Sequence, residues 1–258
     1  MATTTLVKDL LWRVSELLGD TSPQFQRWTE GILVRWLIDG QMAVTKYLPS
    51  ACVRTDAIKF AAGTKQSIDT ILAANCQPGD GIALTAPLYG VELYSVLRNM
   101  GSDGLTIGKS ITNVDRGNLD NFDEDWHTKT GAAVQDYVFD ERLPTTFYVT
   151  PGATASPAMW AEVSYAALPK IIPNTGTPGA ELYLVGGAST QTITISDKFT
   201  DDLVNYVMAR AQMKDAKFAE ATKAQQYAAM FINSINLQVQ RLTGANPNIG
   251  KLPGGTEP

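Results

Sequence analysis

The chain has 258 residues, 44% of them hydrophobic and 18% charged, with a formal net charge of -5 and a pI near 5.0. This length and apolar content suffice for a buried core in one or two domains and argue against a disordered chain. The 21 Lys and Arg residues are scattered rather than gathered in a basic stripe, which disfavours tight binding to nucleic acid.

Neither a signal peptide nor a membrane span is predicted, because no apolar run has the required length. The sequence therefore predicts a protein made and used without secretion. Cys52 and Cys76 match no metal-ligand spacing. Two buried free thiols in a reducing cytoplasm are the preferred interpretation, and a disulfide is the alternative.

Two helices are predicted in the first fifty residues. Apolar residues at three- and four-residue spacing indicate an amphipathic helix over residues 5–18, which Gly19 ends. Ser22 and Pro23 then suit the N-cap and first position of a second helix, which Pro49 stops. Two apolar helices joined by a short loop predict an antiparallel pair.

From residue 51 to residue 196 the pattern becomes that of a β domain. Val, Tyr, Phe and Trp cluster in short runs separated by turn residues, which predicts antiparallel strands. The predicted strands cover 57–61, 65–68, 91–97, 109–114, 134–139, 147–151, 159–165, 182–185 and 192–195. The second of these is expected to pair back on the first. Several short strands of this kind predict a small sandwich or barrel.

Two connecting segments of this region have their own predictions. Residues 71–74 could form a helical turn. Residues 115–127 are predicted to be a polar loop anchored by Trp126.

Helical periodicity returns after residue 196. Residues 199–211 predict one helix, with Asp201 and Asp202 in the first turn, where the helix dipole favours acids. A second, longer helix is predicted from about residue 216 to 242. Its heptad-like seam is Phe218, Ala221, Gln225, Ala228, Ile232, Ile235, Val239 and Leu242. Packing on the other helices of the same chain is the preferred interpretation, and an added contact with a neighbouring subunit is the alternative.

The predicted fold class is α+β, a helical bundle built from both termini with an inserted antiparallel β domain and an extended C-terminal tail. The predicted domains are 1–50 and 197–243 for the helices, 51–196 for the β domain and 244–258 for the tail. The tail is rich in Gly, Pro and Asn and cannot build a core. It is therefore either a frayed terminus or an arm that becomes ordered on a partner.

No stretch carries a recognisable set of catalytic groups, and neither a cofactor nor a metal is predicted. His127 is the only histidine, which excludes the usual multi-histidine metal sites. Because no Gly-x-Ser-x-Gly elbow is present, a surface or loop-stabilising histidine is expected.

Three further motifs are interpreted as structural rather than functional. The acidic cluster at 120–125 lacks the ligand order of an EF-hand, so a solvated loop is expected, with a weak cation site as the alternative. Residues 104–110 resemble a phosphate-binding loop, but only three residues separate the glycines, so a turn before a strand is expected. Residues 140–142 are expected to form a tight connection between strands.

Eight phrases spread along nearly the whole chain carry a family resemblance. They lie at 63–68, 96–101, 114–120, 125–127, 137–144, 147–151, 163–169 and 199–211. Their order and spacing resemble the head-to-tail adaptor, or connector, proteins of tailed bacteriophages, mainly those with short tails. Residues 69–95 depart most from that pattern, and a contact with a tail fibre or nozzle protein is the hypothesis for them.

The resemblance implies a structural virion protein without enzymatic activity. Its twelve-membered ring would dock on the portal protein, extend the DNA channel and offer a platform to tail nozzle or fibre proteins. DNA would pass without specific binding, which suits the scattered charge. The implied location is the head–tail junction of the virion, with the host cytoplasm as the place of assembly, and no membrane partner is expected.

The resemblance also implies that the C-terminal segment reaches into the portal. The candidate portal-binding residues are Gly244, Asn246, Pro247, Asn248, Ile249, Leu252 and Pro253. One alternative is another tail structural protein, such as a nozzle, tube or baseplate protein. A second is a hydrolase or carbohydrate-binding protein with Trp126 and Trp160 in a sugar site, although core packing of these tryptophans is the preferred interpretation.

Overall fold

A computed structural model describes residues 5–20, 28–81, 84, 86–170, 172, 191–214 and 220–245. It contains both helices and antiparallel and mixed sheets, which confirms the predicted α+β class. The chain divides into two compact units. The described residues from 49 to 170 form a β unit, and those before and after this range form a helical unit.

The described part of the β unit contains eight strands, one short α-helix and two 3-10 helices, Pro49–Cys52 and Ala73–Asn75, the second of which overlaps the helical turn predicted at 71–74. The strands are β1 (Val53–Lys59), β2 (Gly63–Ser67), β3 (Cys76–Pro78), β4 (Gly90–Asn99), β5 (Thr112–Asn113), β6 (Asp136–Phe139), β7 (Thr146–Ala153) and β8 (Trp160–Ala167). The short helix, α3 (Arg116–Phe122), lies between β5 and β6.

The strands form two sheets of four. The first has the order β3-β1-β8-β4, and all its neighbours are antiparallel. The second has the order β2-β7-β6-β5, in which β5 and β6 run parallel and the other pairs antiparallel. The strand at 65–68 was expected to pair with the preceding one, and that prediction is wrong because β2 joins the other sheet, beside β7.

A single hydrophobic core is shared by the two sheets. Along β8, Ala161, Val163 and Tyr165 point into this core, as the two-residue period of a strand requires. Leu93 and Val96 of β4 enter it from the same sheet. The other sheet contributes, among others, Tyr137, Phe147 and Val149. Two open sheets facing a common core form a sandwich.

Among the described residues outside the β unit are four long helices: α1 (Val7–Leu18), α2 (Glu30–Tyr47), α4 (Thr200–Met213) and α5 (Ala221–Ala245). Helix α4 is the centre, since α1, α2 and α5 all pack on it. Gly40 of α2 allows a close approach, because a Cβ there would lie 3.0 Å from Cδ1 of Tyr206. The same ring also packs on α5, where the Tyr206 and Phe231 ring centroids are 5.2 Å apart.

Backbone hydrogen bonds join the start of α1 to the segment that precedes α4. The Val7 N–H donates to the Gln191 carbonyl at 2.9 Å, and the Ile193 N–H donates to the Thr5 carbonyl at 3.1 Å. Gln41 Oε1 of α2 accepts from both the N–H and the Oγ1 of Thr194, each at 2.8 Å. The segment that precedes α4 is thereby held beside α1 and α2.

These bonds correct the strand predicted at 192–195. Among the described residues, this segment forms an isolated bridge between Leu6 and Thr192 and no strand, because its partner is the two-residue segment before α1. The strand predicted at 182–185 lies outside the described residues.

Two further element boundaries differ from the prediction. Trp28 and Thr29 precede α2 rather than belonging to it, so the described helix begins at Glu30 and not at Pro23. Residues 115–127, expected to be a loop, contain α3, which Asp115 caps by accepting from the N–H groups of Gly117 and Asn118. Helix propensity does not predict this short helix, because it contains glycine and asparagine, which are poor helix formers.

Candidate assembly surfaces

The contact that His127 makes is a structural one. Its ring is exposed and stacks on Trp126, with the centroids 3.6 Å apart. The buried Trp126 indole N–H donates to Asp120 Oδ1 at 2.8 Å. This hydrogen bond, with help from the charge of Arg116, lowers the pKa of the Asp120 carboxyl. The tryptophan expected to anchor the loop is therefore held by one acid of the acidic cluster.

The remaining motifs also have structural explanations. Among the described residues, no group of three or more His, Cys, Asp or Glu side chains could hold a metal ion. In the loop that resembles a phosphate-binding motif, Asp103 Oδ1 accepts from the N–H groups of Leu105 and Thr106. Gly104 has φ +77° and lies so close to Trp160 that a Cβ would meet its ring at 2.8 Å. The glycine serves a tight turn, as expected, and Trp160 is buried beneath it.

The most buried charge of the β unit lies in a complete hydrogen-bond cluster. Asp56 is only 1% exposed, and it accepts from the Arg54 guanidinium at 3.0 Å and from the Tyr165 hydroxyl at 2.8 Å. The backbone N–H of Gly79 donates to the same carboxylate at 2.9 Å. A buried carboxylate with three donors ties β1, β8 and the turn after β3 together.

Cys76 lacks the environment of a reactive thiol. Cys52 and Cys76 are both buried, and they form no disulfide with each other, as expected. Burial, followed by the charge of Asp56, raises the pKa of Cys76 to about 12. The thiolate that would act as a nucleophile is therefore not formed near neutral pH.

One cavity of about 530 Å³ opens on the β unit. Its apolar walls include Ile58, Ile68, Phe147 and Val163. The segment 70–72, which belongs to the stretch that departs from the adaptor pattern, lines it as well. No set of acid, base and nucleophile lines this cavity, so it offers a recess for an apolar group and no evident chemistry.

Large apolar side chains are exposed at several places on the β unit. Leu105 and Ile107 protrude from the turn between β4 and β5, and Phe122 protrudes from the end of α3. Tyr94 and Leu97 are exposed on β4, at the edge of the first sheet. Exposed apolar side chains that stand singly are ordinary on a protein surface, and only a contiguous patch of them marks a contact surface.

The longest helix, α5, also exposes apolar side chains. Ala224, Phe231 and Ile235 are buried, whereas Ile232 is 50% exposed and Leu237 is 60% exposed. The predicted seam is wrong in its rotation, because Phe231 takes the central place that was assigned to Ile232. Phe218 of that seam lies outside the described residues.

The predicted portal-binding residues fall almost entirely beyond the described chain. Gly244 lies in the last turn of α5. The other six, Asn246, Pro247, Asn248, Ile249, Leu252 and Pro253, lie outside the described residues. The portal-binding assignment therefore stays a prediction. Among the described helices, none combines the length and the hydropathy that a membrane crossing needs.

The polar clusters described above support the protein's own loops, and several large apolar side chains reach solvent. The sequence profile of the SU10 adaptor protein family matches residues 5–250, and the chain belongs to that family. It is a structural adaptor protein of a bacteriophage particle, which confirms the resemblance to head-to-tail adaptors. No curated protein matches the chain.

Proposed function

We propose that this adaptor docks on the portal protein and forms a twelve-membered ring at the head–tail junction. The family match over residues 5–250 carries the proposal, because an adaptor of the phage particle contacts portal and tail components. The ring extends the DNA channel and presents a platform to nozzle or fibre proteins. The protein acts without catalysis, and it reaches the virion from the host cytoplasm, where assembly takes place.

Surface charge supports the role of a channel. The formal net charge is -5, so the subunit as a whole repels the phosphate backbone of DNA. A lumen that gripped phosphates would release counterions and retain the DNA. A ring of these subunits therefore lets DNA slide past without specific binding.

The stretch from residue 69 to residue 95 is proposed as the side that meets tail components. Its described part is not a separate appendage, because Ile71 and Cys76 enter the core of the β unit. Its exposed residues include Leu72 and Tyr89. Leu72 borders the cavity, so an apolar group of a nozzle or fibre protein has a recess there.

Co-sedimentation of the purified chain with portal rings from the same source tests the function. The expected result is a saturable complex with portal and no sedimentation of the chain alone. If the chain does not bind portal but sediments with isolated tails, it is a nozzle, tube or baseplate protein. That result would contradict the proposal.

A further inference from the structure

Strand β2 has one open edge. In the described sheet it is the outermost strand and pairs with β7 alone. The Ile68 N–H, just past the strand, donates to the Thr145 carbonyl at 2.9 Å. Antiparallel partners alternate between bonded and non-bonded pairs, so Gln66 also bonds to β7, whereas Lys65 and Ser67 do not. The backbone N–H and C=O groups of Lys65 and Ser67 therefore point away from β7, along the open edge.

The cavity of about 530 Å³ runs along this edge. Residues 65–68 line it, and so do residues 58–62 at the end of β1. Its walls also include Val163 of the first sheet and Phe147 of the second, both of which belong to the shared core. The cavity is therefore an apolar recess that leads between the two sheets beside an unpaired strand edge.

The charged side chains that line the recess are both positive. They are Lys59 and Lys65, and the other lining residues are apolar or neutral. Among the described residues, neither lysine forms a salt bridge. Hydrogen bonds from Thr145 and Ser67, with a smaller effect of the Lys65 charge, lower the pKa of the adjacent Asp69. Two lysines beside one acid give the recess a positive excess, on a chain whose acidic residues outnumber the basic ones by 26 to 21.

We infer that an acidic, extended segment of a tail component adds to β2 as a further strand and places apolar side chains in the recess. Backbone groups along a strand edge are complemented by the backbone of another extended chain. The side chains of such a chain alternate between two faces, so every second one points to the recess. An acid opposite Lys65 forms a favourable cross-strand pair. The inference rests on the proposed function and states how the tail is held.

Other occupants fit this edge less well. A helix satisfies its backbone groups internally and would leave those of Lys65 and Ser67 unpaired. A second copy of β2 would bring lysines together across the contact, and like charges opposite each other destabilise a strand pair. Residues 70–72 of the stretch 69–95, proposed above to meet tail components, line the same recess. Chemistry and position therefore indicate the same kind of partner.

Hydrogen exchange at single-residue resolution tests the strand addition directly. The full chain bound to portal rings is compared before and after the addition of isolated tails from the same source. Before addition, the amides of Lys65 and Ser67 should exchange fast, and those of Gln66 and Ile68 slowly, because only the latter bond to β7. After addition, exchange at Lys65 and Ser67 should slow by about tenfold or more, because a new strand accepts from their N–H groups.

Two substitutions of Ser67 separate its backbone from its side chain. Ser67→Pro removes an N–H from the open edge and leaves the hydrogen bonds to β7 in place, which is the position where a strand tolerates proline. Ser67→Ala keeps the N–H and removes only the hydroxyl. Both variants should bind portal like the wild type. Ser67→Pro should lower the apparent affinity for tails by about tenfold, and Ser67→Ala should not.

A charge reversal at Lys65 gives a second result that does not depend on the folding of Ser67→Pro. Lys65→Glu places an acid opposite the acid of the added strand, and we expect about tenfold weaker attachment of tails. Lys109→Glu makes the same change at an exposed lysine that does not line the recess. This control variant should attach tails like the wild type.

Three results would overturn the inference. Attachment of tails without slower exchange at Lys65 and Ser67 excludes an added strand. Slow exchange at these two amides before tails are added assigns the edge to portal or to a neighbouring copy. Equal attachment of tails by Lys65→Glu and Lys109→Glu excludes an acidic partner at this edge. Failure of the wild-type chain to sediment with portal would instead overturn the proposed function, so the two failures are distinguishable.

Discussion

At the scale of single residues, Asp56 shows how a buried charge holds distant strands together. Its carboxylate accepts from Arg54 two residues away, from Gly79 and from Tyr165, which is 109 positions further along the chain. No local sequence pattern predicts this cluster, because its members meet only after β1 and β8 have paired. The sequence shows an Asp in a strand and gives no sign of its partners.

Removal of the Asp56 carboxylate is expected to destabilise the β unit strongly. In Asp56→Ala the buried Tyr165 hydroxyl and the Gly79 N–H lose their acceptor, and we expect a loss of about 2–4 kcal/mol in the free energy of unfolding. Urea unfolding of the full chain measures it. Glu141→Ala removes an exposed carboxylate from the β6–β7 turn and serves as the control, with an expected change below about 0.5 kcal/mol. Equal effects of the two substitutions on the free energy of unfolding would show that the cluster adds nothing to stability.

The pairing of Asp120 with Trp126 predicts an acid-sensitive loop. Because the folded state lowers the pKa of Asp120, its charged form stabilises the loop above the unfolded pKa. That contribution is lost as the pH falls below about 4, where an unperturbed Asp titrates. The indole N–H resonance of Trp126 should therefore shift with acid in the wild type and much less in Asp120→Asn.

The neighbouring Asp125 provides the control for this titration. The Trp126 indole N–H donates to Asp120 and not to the Asp125 carboxylate, so Asp125→Asn should leave the acid-induced shift unchanged. A shift that persists in Asp120→Asn would assign the acid response to another group.

At the scale of elements, periodicity predicts the helices and most strands correctly. It predicts less well which side of an element is buried. The α1 helix and the strands β4, β6, β7 and β8 lie close to their predicted positions. The seam of α5 was rotated because exposed Ile232 and Met230 are as apolar as buried Ile235. Helix α5 has apolar residues on several sides, so the pattern alone does not reveal which side packs on α4.

Adjacent residues on α5 should differ sharply in their contribution to stability. Phe231→Ala removes a buried ring that packs on Tyr206, and we expect a loss of about 3–5 kcal/mol. Ile232→Ala changes a half-exposed side chain, and its expected effect is below about 1 kcal/mol. Thermal or urea unfolding of the two variants measures the difference. A larger effect at Ile232 would restore the seam predicted from the sequence.

At the scale of the whole molecule, composition and period together predict the α+β architecture. Helical patterns at both ends of the chain meet in one compact unit, and the strands between them form the other. The hydrogen bonds between residues 5–7 and 191–193 join segments from the two ends, and sequence cannot predict them because each segment is only a few residues long. Sequence also does not predict which strands belong to which sheet, since this depends on pairings between residues far apart in sequence.

Deletion of residues 246–258 separates folding from docking. The cores of both units lie before residue 246, so the shortened chain should keep the melting temperature of the full chain. Its affinity for portal rings should fall by about tenfold or more if the tail supplies the docking contact. Unchanged binding in a sedimentation titration would remove the tail from the proposed interface.

The most direct test of the ring is electron microscopy of the chain bound to portal rings, with class averages of side and end views. The account predicts an added ring of density at the narrow end of the portal, with twelve subunits around an open channel. Isolated subunits scattered on the portal, or density that closes the channel, would contradict it.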